Sequence, residues 1–411
     1  MASFTGYQWR LFLFLSVATF FEGYDQIALT QILPNLRHDM GLDETAGGAL
    51  VGVINIGTVV AYVLVRQADR WGRRRVLTIT IAGYTIFSFL SGLAPNVWVF
   101  AGAQLIARVF LIGEWAISMV YAAEEFPAQK RGLVIGLINA FAAFGSVLCA
   151  GVVPLLLRAP WGWRTVYFVG TVPLVLLAFA RRSLKETQRF TELDASQKER
   201  VPLLRVLRTP HRKRVFQLAA IWGLTYVCTQ SAVTFWKEYA LALDVTPRLD
   251  DDTVGGMIAI SAAASMPLVF GVSRLLDWIG RRWTAVLVFT VAGASTAFAY
   301  TLQTRTGLLL ALIGAIFGVS AVLPVLNAYT TELFPTHLRS DAFAWSNNLL
   351  GRLSYVAAPF AVGAAAADVG WGPAVAITGA GPLLALVLIF VLLPETRGRE
   401  LEETAALEPS A

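Results

Sequence analysis

The sequence predicts an all-α membrane protein in which twelve transmembrane helices form two six-helix halves. Apolar residues make up 56% of the 411 residues and charged residues only 15%, whereas soluble domains carry about 25% charge. Apolar runs of about 20 residues recur along the chain, and each is long enough to cross a ~30 Å hydrocarbon core. A set of glycine, proline and charged residues also repeats at one constant offset. Together these observations exclude a soluble enzyme, a disulfide scaffold and a disordered tail protein.

Twelve apolar runs define the predicted spans. The first run carries Glu22 and Asp25 and has no small-residue cleavage site, so we predict a retained helix rather than a signal peptide. The twelve spans lie at 8–33, 46–66, 75–94, 97–122, 132–157, 163–181, 215–243, 253–276, 283–303, 306–331, 341–367 and 373–393. They divide the chain into a first half at 1–181, a central loop at 182–214, a second half at 215–393 and a tail at 394–411.

The distribution of basic residues orients these spans. Of the 33 lysines and arginines, three lie well inside spans, and 25 lie in the connections that follow even-numbered spans, at the span ends beside them, or near the chain termini. The connections that follow odd-numbered spans hold only five basic residues, namely Arg37, Arg158, Arg164, Arg248 and Arg305. Because basic residues accumulate on the cytoplasmic side, we predict that both termini and the central loop are cytoplasmic, in a cell membrane. The net charge of +6 follows from this topology, and its spread over several loops argues against nucleic acid as a partner.

The internal repeat has an offset of 208 residues. Four residues after span 2 return after span 8, as the pairs Asp69 and Asp277, Gly72 and Gly280, Arg73 and Arg281, and Arg74 and Arg282. Four residues after span 4 return after span 10, as the pairs Glu124 and Glu332, Phe126 and Phe334, Pro127 and Pro335, and Arg131 and Arg339. Chance similarity between apolar helices would match leucine and valine instead. The repeat therefore indicates a duplicated six-helix unit, as in parallel-repeat transporters.

These motifs resemble those of the major facilitator superfamily. The segment Asp69–Arg74 is similar to the family's motif between spans 2 and 3, and Asp277–Arg282 is similar to its second copy. Segments resembling the sugar-porter branch are Glu332–Thr336 with Arg339, and Pro394–Gly398. Segments resembling aromatic-acid:proton and metabolite:proton symporters are Glu22–Asp25, Gly351-Arg352 with Pro359, and Gly113–Trp115. The resemblance implies a transporter fold in which spans 1, 4, 7 and 10 line a central cavity.

Five charged residues stand out near the middle of the membrane, where a charge costs at least ~2.5 kcal/mol unless it is paired or faces water. They are Glu22, Asp25, Arg108, Glu114 and Arg352. Glu22 and Asp25 share a helix face, and two carboxylates in a partly dehydrated cavity favour the binding of one proton. We therefore predict that Asp25, with Glu22, is the proton-coupling site. The alternative is a permanent pair between Asp25 and Arg108 that only tethers spans 1 and 4.

Arg352 is the predicted substrate-binding residue, because its planar guanidinium can hold a carboxylate by two hydrogen bonds. The alternative is a packing arginine bonded to backbone carbonyls. Arg108 and Glu114 are further substrate-binding candidates. Aromatic and amide side chains would add stacking and hydrogen bonds, or serve packing alone: Tyr24, Gln230, Trp236, Asn327, Trp345 and Asn347. Lys237, near the outer end of span 7, is expected to extend to the membrane interface.

The repeated charges predict a cytoplasmic gate. Interhelical ion pairs would close the cytoplasmic side in the outward-facing state and break when the halves rock about a midplane site. The predicted gate residues are Asp69, Arg73, Glu124 and Arg131 in the first half, and Asp277, Arg281, Glu332 and Arg339 in the second.

Three functional hypotheses follow. The first is proton-coupled uptake, by alternating access, of a small organic anion such as an aromatic or other carboxylate. The second is a proton symporter or facilitator for sugars or polyols, and the third is a nutrient sensor that binds without transport. We expect a monomer in the lipid bilayer with a small-molecule substrate and no cofactor other than the coupling proton. No metal site is expected, since the two cysteines, Cys149 and Cys228, lie within apolar runs.

Overall fold

The structure of the chain, a computed structural model, describes residues 4–180, 184–186, 204–245, 248–335, 338–398 and Thr404. All regular elements in these ranges are helices. Each of the twelve predicted spans coincides with one helix or with consecutive helical segments. The predicted all-α fold class is therefore confirmed.

Six long helices make up the first part of the chain. They are α1 (Gly6–Met40), α2 (Glu44–Trp71), α3 (Arg73–Gly92), α4 (Val97–Glu125), α5 (Ala128–Leu157) and α6 (Arg164–Ala180). Polar caps fix where several of them begin. Thr5 forms a capping box with Gln8 at the start of α1, and the Asn96 side chain accepts a hydrogen bond from the Val99 N–H at the start of α4. Such caps satisfy the backbone donors that the first turn leaves without partners.

Among the described residues, the second part of the chain contains nine further α-helices and one π-helical segment. They are α7 (Arg212–Thr234), α8 (Trp236–Ala242), α9 (Asp251–Ile279), α10 (Arg281–Ala299), α11 (Arg305–Glu332), α12 (Arg339–Phe343), the π-helical segment Ala344–Gly351, α13 (Arg352–Val369), α14 (Trp371–Ala376) and α15 (Ala380–Leu392). Short 3₁₀ turns lie at Val206–Arg208 and Ile377–Gly379. Asp250 and Thr304 cap α9 and α11 by accepting from backbone N–H groups three residues on.

The chain forms two compact units. The first comprises Met1–Gly41 and Val53–Arg200, and the second comprises Leu42–Gly52 and Val201–Ala411. Each unit contains one large hydrophobic cluster, centred in the first on Leu15, Leu77 and Leu111 and in the second on Trp222 and Phe289.

Within the described residues, nine helices are long and apolar enough to cross a membrane, or ten if α7 and α8 count as one bent span. The two other predicted spans correspond to α6, which has 17 residues, and to α1, which carries Glu22 and Asp25 in its middle. The chain is therefore a multi-pass membrane protein.

Two spans depart from regular α-helix. Predicted span 7 is broken at Phe235, where α7 and α8 meet at an angle of 46°. The span that ends with α13 contains the π-helical segment, which directly precedes Arg352. Wide π turns are rare and are often found at functional sites.

The prediction that Lys237 extends to the membrane interface is wrong. Its side chain is fully buried, and its ammonium lies 2.5 Å from the Asp251 carboxylate at the start of α9. The bend at Phe235 places Lys237 at the start of α8, beside the next helix along the chain. An ion pair compensates the dehydration that a buried ammonium would otherwise suffer.

Glycines bring α1 and α5 into close contact beside the acidic residues of α1. A Cβ on Gly23 would collide with the backbone of Ala142, and a Cβ on Gly145 would collide with the backbone of Phe20. The Ser146 hydroxyl also donates to the Gly23 carbonyl at 2.9 Å. This contact fixes the part of α1 that carries Glu22 and Asp25.

Candidate functional site

The two acidic residues of α1 are buried within the first unit. Glu22 and Asp25 are each 5% exposed. The Tyr84 hydroxyl on α3 hydrogen-bonds to the Asp25 carboxyl, and the positive charge of Arg108 on α4 acts on the same carboxyl. The Gln26 amide donates to Glu22 Oε1 at 3.4 Å. Asp25 thus shares its surroundings with the intramembrane Arg108.

Arg108 is 8% exposed, and its Nε has no hydrogen-bond partner in the described part of the chain. The buried hydroxyl of Tyr167 on α6 also lies in the electrostatic field of both Asp25 and Arg108. One carboxyl, one guanidinium and two phenols therefore form a polar cluster from α1, α3, α4 and α6. We call Asp25, Tyr84, Arg108 and Tyr167 the tyrosine–aspartate cluster.

Sequence reasoning missed Tyr84 and Tyr167. Both are buried tyrosines in otherwise apolar helices, where they look like ordinary packing residues. Their hydroxyls become informative only when the fold places them beside a charged pair. Tyr24, which the sequence did single out, donates to the Val166 carbonyl at 3.4 Å, and its ring lies 3.2 Å from where a Cβ on Gly170 would be. Tyr24 therefore packs against α6.

Glu114 lies outside this cluster. Its side chain is 3% exposed, and the Ser118 hydroxyl one turn later donates to its Oε1 at 2.7 Å. The carboxyl is thus held by its own helix.

In the second unit, Arg352 lies among aromatic and amide side chains. Its guanidinium hydrogen-bonds to the Tyr226 hydroxyl on α7, and the same hydroxyl donates to Asn347 Oδ1 at 2.6 Å. The Tyr355 ring stands edge-on to the Tyr226 ring, with centroids 5.4 Å apart. A guanidinium, a phenol and an amide that share hydrogen bonds form a suitable binding site for a planar anion.

The π-helical segment presents Asn347 and Trp345 in this region. Asn347 is buried, while Trp345 is partly buried and packs against the hydrophobic cluster of the second unit. A Cβ on Gly351, the last residue of the segment, would come within 2.8 Å of both the Ser346 carbonyl oxygen and Trp222 Cβ. Only glycine leaves room for the close contact between this segment and α7.

The remaining candidates of the second unit are Gln230, Trp236 and Asn327. Gln230 is buried and donates to the Thr234 hydroxyl at 3.5 Å. Trp236 is fully buried, and its indole donates to the Ala299 carbonyl at 3.2 Å. Asn327 is exposed. The position of Trp236 is that of a packing residue, since no part of its ring is available to a ligand.

The repeated charges form one matching ion pair in each unit. In the first, Arg73 at the start of α3 lies 3.3 Å from Glu124 at the end of α4. In the second, Arg281 at the start of α10 lies 2.6 Å from Glu332 at the end of α11, and its Nε also contacts both carboxylate oxygens. The repeat seen in the sequence is thus also a repeat of contacts.

Asp277 and Arg339, two other predicted gate residues, make fewer close polar contacts. The Asp277 carboxylate lies 3.8 Å from Arg281, and its side chain is 83% exposed. Two nitrogens of Arg339, Nε and Nη2, are buried with no hydrogen-bond partner among the described residues. The side chains of Asp69 and Arg131 lie outside the described residues.

In each unit, a glutamate caps the start of one helix. The sequence prediction of the gate did not include these two glutamates. Gly72 and Gly280, the residues before α3 and α10, have φ angles of 91° and 90° and provide no side-chain cap. Glu186 accepts from the Arg73 N–H at 3.0 Å, and Glu395 accepts from the Arg281 N–H at 2.9 Å. Only glycine adopts these φ values without strain, and the glutamates replace the missing caps.

The charge of Glu395 is favoured by this geometry. Burial of the carboxyl would raise its pKa, but four backbone N–H groups hold the pKa below its usual range. These donors belong to Arg282, Arg281, Arg397 and Thr396. Negative charge is also favoured at the positive end of a helix dipole.

No group of three or more histidine, cysteine, aspartate or glutamate side chains with metal-binding geometry exists in the described part of the chain. The structure thus offers no candidate metal centre there.

Comparison with known proteins identifies the family. The sequence profile described as Major Facilitator Superfamily matches residues 15–359 and 239–409. The chain is similar to the "Probable 4-methylmuconolactone transporter" of Cupriavidus pinatubonensis, with 28% identity covering 95% of this chain and 92% of the relative. It is similar to the "4-hydroxybenzoate transporter PcaK" of Pseudomonas aeruginosa, with 26% identity covering 89% and 87%, and to the "Gallate transporter" of Pseudomonas putida, with 23% identity covering 82% and 81%.

Solved structures share the fold at low sequence identity. A crystal structure of a D-xylose-proton symporter has a TM-score of 0.76 and 19% identity, covering 96% of this chain and 100% of that chain. A bacterial homologue of the human lysosomal transporter Spinster has a TM-score of 0.77 and 13% identity, covering 94% and 97%.

Proposed function

Because this chain belongs to the Major Facilitator Superfamily, and is thus a membrane transporter of a small molecule rather than an enzyme, we propose that it is a proton-coupled symporter. We propose that it takes up a small organic anion, an aromatic or other carboxylate, by alternating access. The observation that carries this proposal is the buried Asp25 carboxyl, which is hydrogen-bonded to Tyr84 and lies in the field of Arg108.

Asp25 has the properties required of a residue that carries a proton. Dehydration favours the neutral form of a carboxyl and a nearby arginine favours the ionised form. These opposing effects act on Asp25 together, so that small rearrangements of α1 against α4 would change its proton affinity. The Tyr84 hydroxyl is able to donate to the ionised carboxyl or to accept from the protonated one, which keeps the site satisfied in both states.

Arg352 is the proposed carboxylate-binding residue. It lies well inside a span of the second unit, and it is partly exposed beside Tyr226, Asn347 and Tyr355. Names of similar proteins support the substrate class, because 4-hydroxybenzoate and gallate are aromatic carboxylates. Aromatic side chains beside the guanidinium would stack on the ring of such a substrate.

We propose that the ion pairs Arg73–Glu124 and Arg281–Glu332 stabilise, within each unit, the helix ends beside the cytoplasmic gate. Each joins two helix ends within its own unit. They would therefore preserve the shape of each unit's cytoplasmic end while the two units change their relative position. With cytoplasmic termini, as the basic residues predict, this end faces the cytoplasm.

The proposal is tested by uptake of radiolabelled 4-hydroxybenzoate into proteoliposomes with an inward proton gradient. Asp25→Asn should reduce gradient-driven accumulation at least tenfold and retain exchange of internal for external substrate, because substitution removes the proton but not the substrate site. The control is Asp39→Asn at the outer end of the same helix, which removes an exposed carboxylate paired with Arg164 and should leave accumulation unchanged. Wild-type accumulation by Asp25→Asn would contradict the proposal.

The same assay separates the alternatives. A neutral sugar or polyol that blocks uptake completely, combined with full activity of Arg352→Ala, would favour a sugar transporter. Saturable binding without accumulation in wild-type proteoliposomes would favour a sensor. For a carboxylate symporter, we expect Arg352→Ala to abolish uptake and Arg352→Lys to raise KM, because lysine keeps the charge and loses the planar two-bond geometry.

A further inference from the structure

A groove on the second unit is lined by α9, α10 and α11. Its volume is about 690 Å³. The lining is almost entirely apolar, with Leu268 and Trp278 on α9, Leu287 on α10 and Phe317 on α11 among its residues. Leu268 is 52% exposed and Trp278 is 73% exposed. In a membrane protein, an open apolar groove between spanning helices faces lipid tails.

One charged residue lines this groove. Arg274 is an exposed residue of α9, five positions before the helix ends at Ile279. Among the described residues Arg274 makes no ion pair or hydrogen bond, and the nearby acid Asp277 lies beside Arg281 instead. Its counterpart 208 residues earlier, Arg66, does have an interaction partner. Arg274 is therefore a cation inside a spanning helix with no neutralising group among the residues that the structure describes.

The position of Arg274 corresponds to the level of lipid headgroups. Five residues of helix span ~7.5 Å, a distance that an extended arginine side chain covers when it reaches toward the interface. Trp278 lies one turn further along the helix, and Trp283, at the start of α10, is 63% exposed. Exposed tryptophans are enriched where hydrocarbon meets headgroups.

We propose that this groove is a binding site for an anionic phospholipid, with its phosphate on Arg274 and one acyl chain along the apolar lining. A free phosphate would neutralise the arginine and leave the lining uncovered. A zwitterionic lipid would cover the lining, but its own ammonium would compete with the arginine for the phosphate. Basic pockets between helices on the cytoplasmic side are suited to anionic headgroups.

Two glycines of α9 provide a matched pair of steric probes. A Cβ on Gly271, which lines the groove, would meet no atom within 4 Å, and the same is true of Gly256, which lies outside it. Gly271→Leu would therefore fill the groove, whereas Gly256→Leu makes the same change on the same helix elsewhere. For charge, Arg274→Gln is matched by Arg248→Gln, whose side chain is 85% exposed in the connection before α9.

The test is a lipid titration of delipidated protein in detergent, followed by native mass spectrometry. Phosphatidylglycerol is compared with phosphatidylethanolamine of the same acyl chains, and inorganic phosphate is added as a competitor. We expect phosphatidylglycerol to bind more tightly than phosphatidylethanolamine and to resist displacement by phosphate. Arg274→Gln should weaken the binding about fivefold, the fold-change that corresponds to ~1 kcal/mol per basic residue at an anionic surface. Gly271→Leu should weaken it at least as much, and both controls should bind like wild type.

Equal binding of the two lipids, displacement by phosphate alone, or wild-type affinity of Arg274→Gln would each overturn the proposal. Arg274 is exposed, so its substitution leaves the packing of the second unit intact and decides the question even if Gly271→Leu misfolds. Tryptophan fluorescence melting confirms that each variant is folded, because Trp222 and Trp236 are fully buried in this unit.

Discussion

Glu395 caps α10 from outside the helix, and its substitution tests whether this contact stabilises the second unit. Oε1 accepts from the Arg281 N–H and Oε2 from the Arg282 N–H, both at 2.9 Å. Loss of a side-chain cap costs ~0.5–2 kcal/mol, and loss of the charge–dipole interaction costs ~0.3–1 kcal/mol. Glu395→Gln keeps one acceptor oxygen and loses the charge. Since the carboxyl is only partly buried, screening by water reduces the effect, and we expect a loss of about 1 kcal/mol.

The assay is thermal unfolding in detergent, followed by tryptophan fluorescence. A loss of ~1 kcal/mol corresponds to a decrease in Tm of about 2–4 °C for a unit of this size. The control is Asp277→Asn, which removes an 83% exposed carboxylate 3.8 Å from Arg281 in the same cluster. An exposed pair of this kind contributes little, so the Tm of the control should stay within about 1 °C of wild type.

The pH dependence of this difference gives an independent check. The folded-state pKa of Glu395 is lowered, so its contribution is complete above the unfolded-state pKa of about 4.3. It is lost as the pH falls through the lower folded-state pKa. The Tm difference between wild type and Glu395→Gln should therefore be full at pH 7 and 5.5 and decrease below about pH 4.3. A difference that grows on acidification, or an equal Tm decrease for Asp277→Asn, would refute the capping argument.

Two further predictions concern the second unit. Gly280→Ala should destabilise the protein by ~1–3 kcal/mol, because φ is 90° and the new Cβ would lie 2.9 Å from Glu395 Oε2; an unchanged Tm in the same assay would contradict this. Asp251→Asn should cost ~3 kcal/mol and more than Lys237→Met, because the Lys237 side chain is fully buried and that of Asp251 is 37% exposed. A lower Tm for Lys237→Met than for Asp251→Asn would contradict this, because it would mean that the buried ammonium is not the costly partner to leave unpaired.

The span positions were predictable because hydrophobic length is a local property. The interruptions within spans were not. Nothing in the composition around Phe235 marks the 46° bend between α7 and α8, and the segment Ala344–Gly351 reads as an ordinary helix with polar residues on one face. Its π geometry accompanies close packing of Gly351 against Trp222 on a distant helix. Such irregularities depend on contacts between helices, which sequence periodicity does not contain.

The charged residues of the candidate site were predictable, but their partners were not. A charge inside a span is conspicuous because it is costly, and this identified Asp25, Arg108 and Arg352. Tyr84 and Tyr226 are polar only at one end of an aromatic ring, so they resemble packing residues until their hydroxyls are seen to contact Asp25 and Arg352. For Lys237 the prediction itself was wrong. Its place near the outer end of a span predicted an interface position, but its buried ammonium pairs with Asp251.

The charges that stabilise the helix ends are repeated in both units, whereas the charges proposed to act in transport are not. The ion pairs Arg73–Glu124 and Arg281–Glu332 occur at equivalent positions of both units, and each serves the same junction of helix ends. Asp25, Arg108 and Arg352 lack charged counterparts, because the residues at an offset of 208 are Val233, Ile316 and Phe144. A helix junction is required twice, whereas a proton and a substrate each need a single site. Asp25, Arg108 and Arg352 are therefore not part of the helix junction that the two units share.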